Sequence, residues 1–387
     1  MVSTAQHLTD LATELSARGH EVTVVTSDRG YDDPAIRFPR RERWKDVRII
    51  RIPSLSLGKN SKWRRALSFA SFLANCSVRL LTLKHFDIVV ALTSPPLISF
   101  LATLFVKLRG GRFCFWVMDL NPDEAIAAGW LDEHSRTARL LQRMLRWSLC
   151  HADRTIVLDR FMKERVLAKG VDGDRVEVVP PWSHDDAVVY SLEGREVFRK
   201  RHGWSEKFVV MYSGNHSPCH PLDTLLAAAL ELKKHDEITF CFVGGGSEHT
   251  KVGEFAATNG LANVKCLPYQ PLSELSSSLS AADLHVVVMG DAFVGIVHPC
   301  KIYNILSIGA PVLYVGPTPS HVTDLNLSST QHGDVAGVTG RILEARSAIR
   351  NFRNEFSRHT LLPQMIELLE AEPKSEPYSF VREVTLP

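Results

Sequence analysis

The chain has 387 residues, 45% of them hydrophobic and 23% charged, with a formal net charge of +2. That is globular composition at a length suited to two domains with a normal core, and it excludes a disordered chain, a collagen-like repeat or a small disulfide-stapled scaffold. No run reaches the roughly 18 apolar residues of a membrane span.

The opening residues lack the basic-then-apolar pattern of a secretory signal. Seven cysteines (76, 114, 150, 219, 241, 266 and 300) are scattered without a CxxC pair. They read as reduced, mostly buried thiols of a cytoplasmic protein. Charge is unevenly placed: residues 1–182 carry 28 Lys and Arg against 20 Asp and Glu, and the remainder 17 against 23. The first half is therefore expected to meet an anionic partner, such as a membrane surface, a lipid phosphate or nucleic acid.

In chain order, QHLTDLATELSARGH places Leu8, Leu11, Ala12 and Leu15 on one helical face that stops at Gly19. EVTVVTS and VRIIRIP are strands, WRRALSFASFLANCSVRLLTL is a long helix, and FDIVVALTSPP is a buried strand. LISFLATLFVKL is a helix, RFCFWVMDLNPDE a strand and loop, ARLLQRMLRWSLCHA a helix and DRTIVLD a strand. FMKERVLAKG and VEVVPPW close the first half. After a polar connection (183–206) the pattern repeats, from FVVMYSG through EITFCFVGGG, VKCLPY and LHVVVM to KIYNILSIG and PVLYVG. Apolar strands alternating with helices predict an α/β chain with two tandem Rossmann-like domains and a cleft between them. The expected boundaries are 1–182, 183–345, and a segment 346–387 comprising a returning helix and a polar tail. A doubly wound domain normally opens on a central strand, whereas this chain opens on a helix. The first sheet is therefore expected to lack its first strand and to leave backbone groups unpaired there.

Ligands in such sheets bind beyond the carboxyl ends of strands. YSGNHSPCHPLDTLL (212–226) is a strand, a Gly turn and a helix, an arrangement that is either an anion seat or a plain turn. FVGGGSEH (242–249) admits close backbone approach to a ligand or simple flexibility. GIVHPCK (295–301) sets Lys301 at a helix start with His298 just before it, where an anion would be favoured. MDLNPDE (118–124) gathers Asp119, Asp123 and Glu124; Asp123 reads as a helix cap and Asp119 as the residue facing a site. DGD (172–174) is explained by turn chemistry. Cys219 with His220, or His298 with Cys300, lacks a four-ligand zinc spacing. Residues 58–81 join Lys59, Lys62, Arg64 and Arg65 to Trp63, Phe69, Phe72 and Leu73, which suits an anionic membrane surface or a helix lying on its sheet. No nucleic-acid motif accompanies it.

HLTDLATELSARGHEVTVVTS, YSGN…DTLLAA, FVGGGSE, LPYQPLSEL…AADLHVVV and PCKIYNILSIGAPVL together resemble glycosyltransferase family 4, of the two-domain GT-B fold, over residues 4–345. The bacterial envelope-polysaccharide branch is the most similar, its PSKLY-type motif reading PCKIY here. The resemblance implies retaining transfer of a sugar from a nucleotide diphosphate donor, with UDP as the expected carrier, to a lipid-linked or glycan acceptor. It implies no cofactor, protein dipoles and cations standing in for a metal, and places the enzyme in the cytoplasm or on the inner face of the plasma membrane. Asp119, Lys301 and His298 would be catalytic. The phosphates would be seated by Gly214, Asn215, His220, Gly244 and Gly245, and Tyr269 would lie near the base. Gly295, Ile296, Val297, Tyr303 and Asn304 would complete the donor site.

Several positions differ from the family pattern. The Arg and Lys that follow the Gly turn become Asn215 and His220, the ribose-binding Glu becomes Asn304, and its acidic partner falls near Val294 or Ile296. A non-catalytic or truncated relative acting as a partner protein, and a sugar-nucleotide epimerase of the same shape, are the competing readings.

Overall fold

A computed structural model describes residues 3–30, 35–55, 62–184 and 187–372, with the side chains of Ser3, Lys62, Trp63, Arg65 and Ala66 outside that description. Lys59 and the tail from residue 373 also lie outside the described residues. By internal contacts the chain divides into two units, Met1–Val179 with Leu362–Pro387, and Pro180–Leu361.

Unit 1 runs α1 (Ser3–Ala17), β1 (Thr23–Ser27), β2 (Arg41–Trp44), β3 (Val47–Ile52), α2 (Lys62–Leu81), β4 (Ile88–Ala91), α3 (Ile98–Arg109), β5 (Arg112–Trp116), α4 (Asp123–Ala127), α5 (Arg136–Cys150), β6 (Arg154–Val157), α6 (Arg160–Ala168) and β7 (Val176–Val178). Its strands form two sheets. One has the order β1-β3-β2, with β1 parallel and β2 antiparallel to β3; the other is the parallel set β4-β5-β6-β7. β1 and β4 thus each have one hydrogen-bonded neighbour among the described residues. The expected interruption of the first sheet is present, at this place.

One core nevertheless spans both sheets. Ile50 and Ile52 of β3 are buried with Phe72 and Cys76 of α2, Leu83, and Phe105 of α3, and Val25 of β1 and Val89 of β4 pack against the same cluster. At the amino ends of the strands, the Glu370 carboxylate meets His20 Nε2 at 2.8 Å, and Arg112, opening β5, donates to the Ala371 carbonyl at 2.7 Å. Helices start where side chains can take the first free amides. Ser135 accepts from Ala138 N at the head of α5, and Asp159 from Met162 N at the head of α6.

Unit 2 runs α7 (Leu192–His202), β8 (Phe208–Asn215), α8 (Asp223–Glu231), β9 (Ile238–Gly245), α9 (Ser247–Asn259), β10 (Val264–Leu267), α10 (Leu272–Ser280), β11 (Leu284–Val288), α11 (Lys301–Ser307), β12 (Val312–Val315), β13 (Ser328–Thr330) and α12 (Val335–Glu344). A last helix, α13 (Arg358–Glu370), begins in unit 2 and ends in unit 1. All six strands of unit 2 are parallel, in the order β10-β9-β8-β11-β12-β13. The period of two that strands impose assigns side chains to opposite faces. Val210, Tyr212, Phe240 and Phe242 join one core with α8, while Val209, Met211, Cys241 and Val243 join another with Phe198 and Trp204. Each large side chain so buried contributes about 1.5–3 kcal/mol.

All seven cysteines are free thiols; four are buried, Cys150 and Cys300 are half-buried, and Cys266 is exposed. Among the described residues no helix is long and apolar enough to cross a membrane.

Candidate functional site

The site of interest in unit 2 begins where β8 and β9 end. Their register pairs Gly214 with Gly244 and Asn215 with Gly245. Gly214 and Gly244 hold φ of +137° and +138°, a region open to glycine and strained for other residues. A Cβ on Gly244 would fall 2.0 Å from the Gly214 carbonyl oxygen, so the two strand ends lie this close only because Gly244 carries no side chain. Tyr269, beyond β10, donates its hydroxyl to the Gly245 carbonyl at 3.2 Å and lays its ring beside that glycine. The ring is 59% exposed, leaving an aromatic face open to a planar ligand.

Lys301 opens α11 and reaches back to this glycine floor. Its Nζ is buried without a hydrogen-bond partner among the described residues. The ammonium sits 3.7 Å from the centroid of the Tyr212 ring, a cation–π contact, and 3.1 Å from where a Cβ on Gly214 would stand. Burial pushes its pKa down to about 7, with Cys300 pulling weakly the other way. α11 has only seven residues, so the cation of this corner is the side chain.

Two histidines flank the lysine. His216 Nδ1 lies 2.9 Å from the Gly214 carbonyl, which can only accept, so Nδ1 carries the proton. Its Nε2 is left buried with a lone pair and no partner among the described residues. The ring stands 4.8 Å from Tyr212 and 4.7 Å from His249. Burial first, then the His249 and Lys301 charges, hold it down at about 3. His220 Nδ1 donates to the Val288 carbonyl at 2.7 Å, and burial and the Lys301 charge hold it, too, at about 3. Both rings are neutral at physiological pH. The corner combines glycine backbone, an aromatic face and one unpaired cation, which is the chemistry of a seat for a diphosphate.

The remaining residues singled out in the sequence distribute as follows. His298 Nε2 pairs with the Tyr303 hydroxyl at 2.6 Å, and its ring stacks on His321 with centroids 3.9 Å apart. His298 and Tyr303 are therefore packed with each other, while Gly214 and Lys301 are the pair brought together. Ile296 and Val297 spend their amides on the Phe293 carbonyl at 3.0 and 3.1 Å, after the turn at Gly295, whose φ is +69°. The Asn304 Oδ1 accepts from the His184 amide at 2.8 Å. Asn215 is exposed, and its carbonyl accepts from the Tyr212 hydroxyl. Asp172 accepts from the Asp174 amide, so DGD is a turn.

In unit 1, Asp119 follows β5 and its amide donates to Thr93 Oγ1 at 3.3 Å. The side chain is half-buried, and burial followed by the Glu124 charge pushes the carboxyl up to about 7. It can therefore share a hydrogen bond as acceptor or donor near neutrality. Asp123 is not a helix cap. It is the first residue of α4, and its carboxylate is held by Lys169 Nζ at 2.8 Å, a partner 46 residues away.

His216 went unremarked in the sequence because a lone loop histidine carries no periodic signal. The only cue was its place directly after the Gly turn in YSGNH.

Parallel sheets in each of two units, with glycine turns where β8 and β9 of unit 2 end, match the two-domain GT-B fold. Residues 4–182 match the family described as "Glycosyl transferase 4-like domain", and residues 194–314 match "Glycosyl transferases group 1". The two matches together take in most of the chain, and it is a glycosyltransferase. It is 26% identical over 309 residues to the putative colanic acid biosynthesis glycosyl transferase WcaI of Escherichia coli K12, covering 76% of this chain and 75% of the other. Sucrose-phosphate synthase from Thermosynechococcus elongatus is similar in structure, with a TM-score of 0.71 at 16% identity over 94% of this chain and 91% of the other. HepE of Anabaena, solved in complex with UDP, gives 0.67 at 14% identity over 94% and 95%. At those identities the likeness speaks for the fold.

Proposed function

We propose that the protein transfers a sugar from a UDP-sugar, with retention at the anomeric carbon, to a lipid-linked or polysaccharide acceptor in cell-envelope glycan synthesis. The observation that carries this reading is the buried, unpartnered Lys301 ammonium beside Gly214. A cation held dry and without a counter-ion is favourable only when an anion completes it. The name of the Escherichia coli relative supports the envelope setting, and the UDP held by HepE supports the carrier.

In this reading the donor's C1–O bond breaks and the acceptor oxygen bonds C1 on the same face. The acceptor's proton passes to the departing diphosphate. The diphosphate gains charge as it leaves, and Lys301 stabilises that charge where it develops. Losing one such donor costs about 10²–10³ in rate. Gly214, Gly244 and Gly245 seat the phosphates, and Tyr269 offers its face to the base. Asp119 accepts a hydrogen bond from the acceptor hydroxyl. His298 acts through Tyr303, holding the turn before α11. No residue here serves as a covalent nucleophile.

The acceptor side draws on α2, which presents Arg64 and Arg79 with exposed Leu67, Phe69, Val78 and Leu81. Such a basic, apolar-edged helix suits a peripheral contact with an anionic bilayer. Co-sedimentation with vesicles of phosphatidylglycerol but not of phosphatidylcholine alone is the expected result.

The test of the catalytic reading is transfer and hydrolysis of UDP-glucose, UDP-galactose and UDP-N-acetylglucosamine by the wild type and Lys301→Ala. Turnover unchanged in the variant removes Lys301 from the mechanism. Absence of binding to every sugar nucleotide favours the non-catalytic alternative.

A further inference from the structure

We propose that the donor diphosphate enters unit 2 together with one proton, which is carried by Lys301. This rests on the donor seat proposed above and adds the protonation state in which that seat waits empty.

The geometry is that of an amine kept ready to ionise. Lys301 Nζ is buried, accepts no help from any hydrogen-bond partner among the described residues, and has only the Tyr212 π face at 3.7 Å to offset a charge. The groups that face it from the packed elements are Tyr212 on β8, His216 and His220 in the loop after β8, and its neighbour Cys300. None is a carboxylate. Tyr212 is buried, which pushes its phenol well above the ordinary value, so it supplies no negative charge. The two imidazoles are tied as Nδ1–H donors to the Gly214 and Val288 carbonyls, and burial and the Lys301 charge keep them neutral. The empty seat therefore holds at most one positive charge, and burial brings that charge into balance with loss of the proton near neutrality.

A diphosphate changes this balance. Two negative charges within hydrogen-bond reach restore the ammonium, because an opposite charge at short range favours the ionised form. By linkage, binding then takes up protons wherever the empty site has lost them, and affinity falls about tenfold per pH unit above the empty-site pKa. His216 Nε2, buried with an open lone pair, is the other atom able to accept that proton. The experiment has to tell the two apart.

The measurement is calorimetric titration of the wild-type protein with UDP-glucose, and in parallel GDP-mannose, ADP-glucose and dTDP-glucose, at about pH 8 in buffers of differing ionisation enthalpy. Sugar nucleotides are chosen over free UDP because a terminal phosphate titrates with a pKa of about 6 and would add its own proton. The expected result is uptake of about one proton per bound donor, with the dissociation constant rising about tenfold per unit from pH 7.5 to 9. In Lys301→Arg, where the cation cannot lose its proton, uptake should vanish while binding persists. Binding with no buffer dependence overturns the proposal and leaves the donor seat standing. Uptake that survives in Lys301→Arg overturns the assignment to Lys301 and moves it to His216. Failure of all four sugar nucleotides to bind the wild type overturns the donor seat and this inference with it. The wild-type measurements decide even if the arginine variant does not fold.

Discussion

The Lys301 ammonium lies 3.1 Å from the point a side chain on Gly214 would occupy, so the glycine keeps a place for the cation. Gly214→Ala would put a methyl group there and force an alanine to φ +137°. The expected outcome is a stability loss of about 1–3 kcal/mol from backbone strain and a donor affinity at least about tenfold weaker. Urea unfolding and calorimetry with UDP-glucose check the two separately.

Lys301→Met should make the empty protein more stable. It replaces a buried ammonium without a partner by an apolar chain of similar length, and an unpaired buried charge costs more than the about 1–3 kcal/mol of an unpaired neutral polar group. The folded pKa of Lys301 is depressed from 10.5 to about 7. The burial penalty is therefore full below about pH 7 and fades as pH rises toward 10.5, so the gain should be largest at the acid end of that window. Thermal melts from pH 6 to 10, with and without UDP-glucose, should show a higher melting point and no donor-induced shift.

The pH dependence of kcat/KM should be a narrow bell. Asp119, raised to about 7, is protonated below that pH and stops accepting from the acceptor hydroxyl, so activity falls on the acid side. Lys301, lowered to about 7, loses its charge above that pH, so activity falls on the alkaline side. Asp119→Asn should flatten the acid limb and Lys301→Arg the alkaline limb, each with a lower plateau.

Amide exchange should separate the two sheets of unit 1 from that of unit 2. β1 and β4 each have one paired neighbour, whereas β8 lies between β9 and β11 and β11 between β8 and β12. Amides of β1 and β4 should exchange at least about tenfold faster than those of β8 and β11. Equal protection would mean that the free edges are covered by something outside the described residues.

Much of this fold could be read in the sequence because buried parallel strands leave continuous apolar runs such as FVVMY and TFCFV, punctuated by glycine. β2 escaped that reading. Its four residues, Arg41 to Trp44, are all exposed, and its turn uses Lys45 and Asp46 at φ +47° and +62° without the Asn-Gly that signals a hairpin. β13 escaped because three residues, Ser328–Thr330, carry no pattern. In the candidate site, Lys301 and Gly214 were legible as strand-end and helix-start residues. The His216 lone pair, the His298–Tyr303 bond and the Asp123–Lys169 pair were not, since each depends on contacts that local spacing does not encode.

The divided sheet of unit 1 has a mechanical consequence. A continuous ladder resists shear through rows of directional hydrogen bonds, but among the described residues the β1-β3-β2 sheet and the β4-β5-β6-β7 sheet share none. Among the described residues they are coupled by non-directional packing around Phe72 and Phe105 and by the clasp of Glu370 on His20 and of Ala371 on Arg112. Among the described residues, sliding one sheet past the other would exchange van der Waals neighbours without breaking a ladder between strands, whereas in unit 2 the same displacement would have to break one.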